Sequence, residues 1–253
     1  MNRKVFWIFV LASLVAVAIW YMVAVVKYSK GKLVFCDVGQ GNGVLLTKGE
    51  FQLVYDTGFR NGKMLDCLAQ NLPFWDKNLE VVIVSHWDID HSGGLEEIDD
   101  YYKIGKLYSS RENEQYNYTE ILGLEDIIRN GWMEFRVMWT SREGDDNYGS
   151  VVGLLTIDKL KILLMGDAPF EVEQRLVWRK ILEDKIDVLL VGHHGSRIST
   201  SEELLEVVGP KEAIISVGRN SFGHPTEEVL ARLEKYGIEV KRTDKLGSIK
   251  YSL

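Results

Sequence analysis

Two of the chain's five histidines stand beside two aspartates in one short segment, HWDIDH, which holds His86, Asp88, Asp90 and His91. The segment directly follows the apolar run VVIVS (81–85), which predicts a buried strand. Imidazole and carboxylate groups are the ligands of zinc, manganese or iron at hydrolytic sites, where an open position holds water. The pattern therefore predicts a metal site in the loop after a strand.

The other three histidines and one further aspartate also follow predicted strands. His193 and His194 come after the run IDVLLVG, His224 comes after EAIISVG, and Asp167 follows the second strand of a predicted hairpin. In α/β proteins, loops at the carboxyl ends of strands converge on one crevice. A lone Asp or His at a strand end is usually an ordinary loop residue. Asp167 and His224 are therefore candidates because of the group they would join.

Strands and helices alternate after the first 31 residues, and this alternation predicts one α/β domain over residues 32–253. Two sheet-forming halves, each flanked by helices, imply a four-layer sandwich whose loops meet at one edge. Within it, TEILGLEDIIRNG (119–131) predicts a helix. Ser199 or Thr200, each with a Glu three residues later, predicts the N-cap of a helix over SEELLEVV (201–208).

The chain opens with an apolar run, and residues 5–26 carry no charge. As a helix this run would be about 33 Å long, enough to cross a bilayer. We predict an uncleaved transmembrane anchor, with residues 1–31 forming a short tail, the anchor and a linker. Small residues at 16–18 keep a cleaved signal peptide as the alternative. Basic residues flank both ends of the run, so charge alone does not fix the orientation.

Charge and cysteine content set broad limits. The net charge of -7 argues against a generally basic nucleic-acid binder, although a local groove of Lys, Arg and metal ions remains compatible with it. Cys36 and Cys67 lack metal-type spacing and do not make a disulfide scaffold. A single bridge between them stays open if the domain is exported.

The segment HWDIDHSGG resembles the HxHxDH signature of the metallo-β-lactamase superfamily in its HxDxDHxGG version. Five more segments resemble, in order, the extracellular hydrolase domain of the ComEC family of competence proteins: FCDVGQGNGVLL, VYDTG, LLMGDA, VGHHGSRIST and ISVGRNSFGHPTEEVL. The resemblance covers residues 33–253. It implies an α/β fold, the αββα four-layer metallo-β-lactamase sandwich, here preceded by one transmembrane helix. It also implies one or two divalent metal ions, zinc or manganese.

Each motif carries ligands over to this chain. The resemblance implies a first ligand cluster, a carboxylate that bridges two metals and a late histidine ligand: His86, Asp88, Asp90 and His91, then Asp167, then His193, with His194 as the alternative ligand or a group contacting the substrate. The superfamily's intermediate histidine is absent, and Asn147 and Ser150 stand in its region. Asn42 replaces the carboxylate of the family's DVGQGD. These departures predict a weakly held second metal or a reduced or redirected activity.

The leading hypothesis is a phosphodiesterase that acts on DNA. Asp90 and Asp167 would hold the attacking water. Arg197 would neutralise a phosphate oxygen or remain a solvated loop charge. Ser196 would donate to phosphate or shape the loop, and His224 would protonate the leaving group or cap the next helix.

Two alternatives and several partners stay open. One alternative keeps the metals but takes a lactone, thioester or phosphocholine ester. The other is a tethered binding module with weak or no catalysis. A basic groove near the metals, built from Arg197, Arg219 and the C-terminal Lys241, Arg242 and Lys245, would favour nucleic acid. The predicted partners are the membrane, a nucleic acid and a separate channel protein, and the hydrolase domain of this single-pass protein is expected on the extracytoplasmic side.

Overall fold

The computed structural model describes residues 3–27, 30–182 and 185–253. Its first helix, α1 (Arg3–Lys27), contains the run predicted as an anchor. The stretch Arg3–Tyr21 is long and apolar enough to cross a membrane, and none of it is buried against the rest of the protein. Residues 1–2 of the predicted tail and 28–29 of the predicted linker lie outside the described residues.

The rest of the described chain alternates between strands and short helices. The strands are β1 (Lys32–Phe35), β2 (Gly43–Lys48), β3 (Phe51–Thr57), β4 (Asn78–Val84), β5 (Lys103–Ser109), β6 (Glu120–Ile121), β7 (Ile127–Asn130), β8 (Met133–Trp139), β9 (Val152–Ile157), β10 (Leu160–Leu164), β11 (Val188–Leu190), β12 (Glu212–Ile215), β13 (Glu239–Arg242) and β14 (Ile249–Ser252). The helices are α2 (Lys63–Asn71), α3 (Ile89–Ser92), α4 (Leu95–Tyr101), α5 (Phe170–Trp178), α6 (Glu202–Val208), α7 (Glu227–Lys235) and α8 (Thr243–Leu246), with a 3-10 turn at Gly192–Gly195.

These strands form two seven-stranded sheets, one from each half of the chain. The first has the order β14-β1-β2-β3-β4-β5-β6, and the second has the order β13-β12-β11-β10-β9-β8-β7. The last strand, β14, crosses back to the first sheet and pairs antiparallel with β1, so that Ser252 lies opposite Lys32. The predicted sandwich is confirmed.

Strand residues divide between inner and outer layers with period two, because successive side chains of a strand point to opposite faces. Leu33 and Phe35 of β1 belong to the core between the sheets, whereas Val34 packs into the core under α2 and α4. A third core lies between the second sheet and its helices. The central strands are apolar almost throughout because both of their faces are buried. None of the described side chains of α1, those of residues 3–21, belongs to the three cores.

Two local predictions were wrong. Residues 119–131 form β6, a turn and β7 instead of a helix, because Ile127 and Ile128 pair with β8 and the Asp126 carboxylate accepts the Gly123 N–H at 2.7 Å. The N-cap of α6 is Ser201, whose hydroxyl accepts the Leu204 N–H. The pairing of β7 with β8 in a hairpin gives the backbone of this segment its hydrogen-bond partners, and such tertiary context overrides local helix propensity.

The two cysteines form a disulfide. Cys36 follows β1 and Cys67 lies in α2, and their Cα atoms are 6.0 Å apart. The bridge therefore ties the first sheet to the helix that covers it.

Candidate metal centre

The candidate centre lies at the carboxyl end of β4, where the chain leaves the first sheet and enters α3 and α4. Ser85 and His86 directly follow this strand, and both are buried. Glycine is required at the crossing of two neighbouring loops. Gly41 has a φ of 117°, and a Cβ there would lie 2.0 Å from the carbonyl oxygen of Asp90. This close approach packs the loop after β1 against the ligand loop.

His91 is the most constrained of the predicted ligands. Its Nδ1 lies 2.8 Å from Oδ2 of Asp56, a fully buried carboxylate at the end of β3. With Nδ1 donating to that carboxylate, Nε2 is the ring nitrogen that faces the other candidate ligands. Nε2 lies 3.1 Å from Oδ1 of Asp167 and 3.2 Å from Nε2 of His194. A carboxylate behind a ligating histidine is the usual device that fixes its tautomer and its orientation.

His194 and His86 are oriented in the same manner. Nδ1 of His194 donates to the carbonyl of Ser216 at 2.9 Å, and its Nε2 lies 3.2 Å from Oδ2 of Asp90. Nδ1 of His86 lies 3.0 Å from the hydroxyl of Ser85. Its Nε2 is buried without a hydrogen-bond partner among the described residues. All three Nε2 atoms therefore converge on one small volume.

Asp167 lies between the histidines, and its two carboxylate oxygens face different ones. Its Oδ1 faces His91 at 3.1 Å and His194 at 3.6 Å. Its Oδ2 faces His193 at 3.6 Å and His86 at 4.0 Å. Two groups of three residues, His86–His91–Asp167 and Asp90–His91–His194, have ligand atoms within 4.8 Å of one another. The two carboxylate oxygens of Asp167 therefore face different histidines.

Charge coupling in the cluster is strong. Burial alone would raise the pKa of Asp90, but the His194 hydrogen bond and the charge of His91 lower it to about 2. Burial would likewise raise the pKa of Asp167, and His91 and His194 hold it well below its usual value. Burial lowers the pKa of His91, but Asp167 and Asp56 outweigh it and raise that pKa well above the usual value. The cluster thus favours ionised carboxylates and a compensating positive charge.

The residues fit a divalent cation. The Nε2 atoms of His91 and His194 face each other next to a carboxylate, and with the unpartnered Nε2 of His86 they form a buried donor set. Nitrogen and carboxylate oxygen are the ligand types that zinc, manganese and iron accept. Fold and donor set together imply divalent metal binding at this position.

The structure separates the two adjacent histidines, whereas the sequence favoured His193 as the late ligand. His194 faces Asp90 and His91, and His193 lies on the other side of Asp167 with its side chain 23% exposed. Both residues adopt a left-handed backbone, with φ of 49° and 53°. Consecutive left-handed residues turn the two side chains in different directions, which spacing alone does not reveal.

The remaining predicted residues surround the centre at different depths. The Ser150 hydroxyl accepts the Asp167 N–H at 3.2 Å, and the Asn147 carbonyl accepts the Ser150 N–H. Asn42 is fully buried, and its backbone N–H donates to the Asp90 carbonyl at 3.1 Å. Neither side-chain amide atom of Asn42 has a partner among the described residues. Asn42 therefore packs directly behind the ligand loop.

Asp88 and His224 lie beside histidines of the centre, and Ser196 and Arg197 belong to the loop that carries His193 and His194. Oδ2 of Asp88 is 3.4 Å from Nε2 of His86, and Asp88 is partly exposed. The His224 ring lies 5.5 Å from the His193 ring, and the N-cap of α7 is Thr226, so the capping role considered for His224 is not observed. Ser196 is buried with its N–H on the His193 carbonyl, and Arg197 is exposed.

Sequence reasoning missed the groups that orient the ligands. Asp56, Ser85 and the Ser216 carbonyl fix His91, His86 and His194. Asp56 lies in the quoted segment VYDTG and has a φ of 60°, and it also accepts the Ser85 N–H at 2.7 Å. A charged residue at the end of a buried apolar strand was the signal available for it.

The chain belongs to the metallo-β-lactamase superfamily, whose family model matches residues 36–219. That assignment accords with the paired sheets and the metal centre at their edge.

The predicted resemblance to competence proteins is confirmed by similarity to curated relatives. The chain is 37% identical to "Recombination protein 2" of Haemophilus influenzae over 223 residues, covering 85% of this chain and 28% of that protein. It is 30% identical to "ComE operon protein 3" of Bacillus subtilis, covering 88% and 33%, and 30% identical to "Competence protein ComA" of Neisseria gonorrhoeae, covering 86% and 31%. The chain spans about a third of the length of these relatives.

Solved structures share the fold at low sequence identity. The metallo-β-lactamase fold protein YhfI from Bacillus subtilis aligns with a TM-score of 0.62 at 12% identity, covering 89% of this chain and all of YhfI. CmlA, a diiron β-hydroxylase from Streptomyces venezuelae, aligns with a TM-score of 0.63 at 11% identity, covering 88% and 54%. At these identities the comparison shows the architecture alone.

Proposed function

We propose that this protein is a membrane-anchored, metal-dependent phosphodiesterase that cleaves DNA. The observation that carries the proposal is the position of Asp167, whose two oxygens face separate groups of histidines in a buried centre. The names of the three competence and recombination relatives support DNA as the substrate.

The proposed ligand assignment uses both sides of Asp167. On the Oδ1 side, Asp90, His91 and His194 would hold one cation. On the Oδ2 side, His86, Asp88 and His193 would hold the other. His193 would thereby take the place of the superfamily's absent intermediate histidine. Because His193 and Asp88 are partly exposed, this second cation would be held more weakly.

Divalent ions there would polarise a phosphoryl oxygen and lower the pKa of an attacking water, and zinc or manganese both suit the donor set. The chain's own residues do the rest. Asp56 and the Ser216 carbonyl hold the imidazoles in one tautomer. Asp90 and Asp167 would orient the attacking water. Arg197 would meet a phosphate oxygen at the mouth, and His224, beside His193, would hold a proton near the leaving oxygen.

Ion pairs reduce the number of cations that are available to the proposed nucleic-acid groove. Lys241 pairs with Glu212 at 2.8 Å and Arg242 with Asp244 at 2.7 Å, so these two cations are largely neutralised. Arg197 and Arg219 are exposed near the histidine loops. A groove with few cations suits a short contact with a single strand better than broad phosphate binding.

The first experiment measures metal content and DNA cleavage of the full chain in detergent. We expect bound divalent metal and EDTA-sensitive cleavage of single-stranded DNA, and Asp90→Ala should lose the cleavage and the more tightly held ion. Asp100→Ala, which removes an exposed carboxylate of α4, is the matched control and should retain both. Bound metal without DNA cleavage would redirect the proposal to another ester, and absence of metal would favour the tethered binding module.

A second experiment tests the ligand assignment. His194→Ala and His193→Ala should each lower the metal content, but His193→Ala should leave the more tightly held ion in place. Metal analysis during stepwise chelation separates the two outcomes. Equal loss in both variants would contradict the division of the pair across Asp167.

The proposed location is a single-pass membrane protein with its hydrolase domain outside the cytoplasm. The disulfide between Cys36 and Cys67 supports this side, because disulfides persist in oxidising compartments. If the enzyme serves DNA uptake, a channel protein would be its partner. Thiol labelling of intact cells tests the orientation: cysteines that react only after reduction from outside would support it.

A further inference from the structure

The end of the sandwich opposite the metal centre lies close to the proposed anchor. Helix α1 ends at Lys27 and β1 begins at Lys32, so four residues join them. Five Cα steps reach at most about 18 Å however the linker folds. Since β1 begins at this end of the sandwich, the covalent linker alone holds this end near the membrane surface whenever α1 spans a bilayer.

A loop with exposed aromatic side chains lies beside the start of β1. Nζ of Lys32 donates to the carbonyl of Asn71 at 3.5 Å, which places the end of α2 next to the point where the chain arrives. The loop from Leu72 to Lys77 follows. Phe74 is 81% exposed and Trp75 is 49% exposed, and their rings contact each other at 4.8 Å. Two large apolar rings in water, next to a membrane tether, require an explanation.

Lysine and aromatic residues border the loop. Lys77 and Lys103 are exposed, and the Lys103 N–H donates to the Lys77 carbonyl at 2.7 Å. Lys48, at the end of β2, lies over the ring of Trp132 at 5.0 Å. We name this surface the basal edge and define it by Lys32, Lys48, Phe74, Trp75, Lys77 and Lys103.

Two carboxylates at the basal edge are turned inward. Asp76 accepts from the Gln52 side chain at 2.9 Å, and Glu80 accepts the Gln52 N–H at 2.8 Å. Glu50, in the turn between β2 and β3, is an exposed acidic neighbour. The outward surface thus combines aromatic rings with lysines, the composition that binds at the interface between lipid headgroups and acyl chains.

We propose that the basal edge is a second membrane contact, in which Phe74 and Trp75 insert into the headgroup region of the bilayer that holds α1. The proposal rests on the proposed anchor but not on the nuclease activity. Strand β4 runs from this edge to the metal centre, and its seven residues span about 23 Å. The contact would therefore hold the centre away from the membrane, open to a substrate arriving from solution.

The test uses the full chain in nanodiscs whose lipids carry bromine near the headgroup, a quencher of tryptophan fluorescence. In the wild-type chain, Trp7 and Trp20 of α1 report insertion of the anchor. In a Trp7→Phe/Trp20→Phe background, we expect lipid-dependent quenching to persist and to fall sharply in the further variant Trp75→Phe. Unchanged quenching after Trp75→Phe would overturn the basal contact.

Two controls make the outcome specific. Phe222→Trp places a new ring at the exposed position 222, at the metal-centre end, and should add fluorescence that the brominated lipid does not quench. Quenching of this ring as strong as that of Trp75 would also overturn the proposed orientation. If Trp7 and Trp20 themselves are not quenched, the anchor has failed, and this failure is distinguished from failure of the basal edge.

Discussion

The two ends of the sandwich differ in which groups they bury and which they expose, although the same strands run between them. At the metal-centre end, polar groups converge, so that the Nε2 atoms of four histidines face Asp167. At the basal edge, polar groups are paired or solvated and the large apolar rings Phe74 and Trp75 are exposed. Buried polar groups without partners are costly, and exposed apolar rings are unfavourable in water. Each end therefore has a feature that a ligand would relieve, a cation at one and a lipid surface at the other.

The ends also differ in what keeps them rigid. Loops at the metal centre are held by hydrogen bonds between the ligand histidines and Asp56, Ser85 and the Ser216 carbonyl, with Asp56, His193 and His194 in the left-handed region. Such backbone costs on the order of 1–3 kcal/mol per residue and persists only where the surroundings enforce it. The strained backbone at the metal-centre end is therefore stabilised by the apolar cores, which extend between both ends of the sandwich.

The largest effect is expected at the bridging carboxylate. Asp167→Ala should remove both cations and lower DNA cleavage by on the order of 10³-fold, since the charge stabilisation from metal ions amounts to several kcal/mol. Cleavage rate and metal content are measured together. A variant that keeps its metal would show that the two histidine groups do not depend on Asp167, and would break the account of the metal-centre end.

The next largest effect is expected from the disulfide, and it concerns the stability of the folded protein. Reduction of the Cys36–Cys67 bridge, which closes a separation of 31 residues, should lower the free energy of unfolding by about 3 kcal/mol, because the open chain gains conformational entropy. Denaturant unfolding with and without reductant measures the change. Cys36→Ala/Cys67→Ala, insensitive to reductant, is the control. An unchanged midpoint would show that the bridge does not support the loops on which the centre rests.

A smaller effect is expected behind His91. Asp56→Asn should weaken metal binding by about 10- to 100-fold, since the amide no longer provides the charge that orients the imidazole. Competition with a chelator measures the affinity. Asp37→Asn is the matched control, because Asp37 lies at the same end but pairs with Lys63 at 3.1 Å instead of a histidine. Equal losses in both variants would point to a general charge effect rather than to the contact with His91.

The smallest effect on chemistry should come from the basal edge. Phe74→Ser/Trp75→Ser should change metal content and cleavage in detergent by less than about twofold, because exposed substitutions away from a site have small effects. The same assays apply, with Asp90→Ala as the inactive reference. A large loss of cleavage would contradict this prediction and would show that the two ends are coupled through β4.

Much of this protein could be predicted from local pattern. The β-branched runs predicted the strands, and the segment HWDIDH predicted a metal site at a strand end, because ligand type and position relative to a buried strand are readable one segment at a time. The apolar run of residues 5–26 likewise predicted α1. The exception was the segment 119–131, where pairing with β8 determined the structure.

Tertiary structure alone decided how the segments meet. Asp56, Ser216 and Asp167 lie far from HWDIDH in sequence, and only the packing of β3, β10 and β12 brings their oxygens to the ligand histidines. The separation of His193 from His194 depends on two left-handed residues that spacing does not encode. Local pattern indicated which groups are candidates for binding a metal and where the strands that carry them end. The fold decided which group faces which, because those contacts join residues that no local pattern relates.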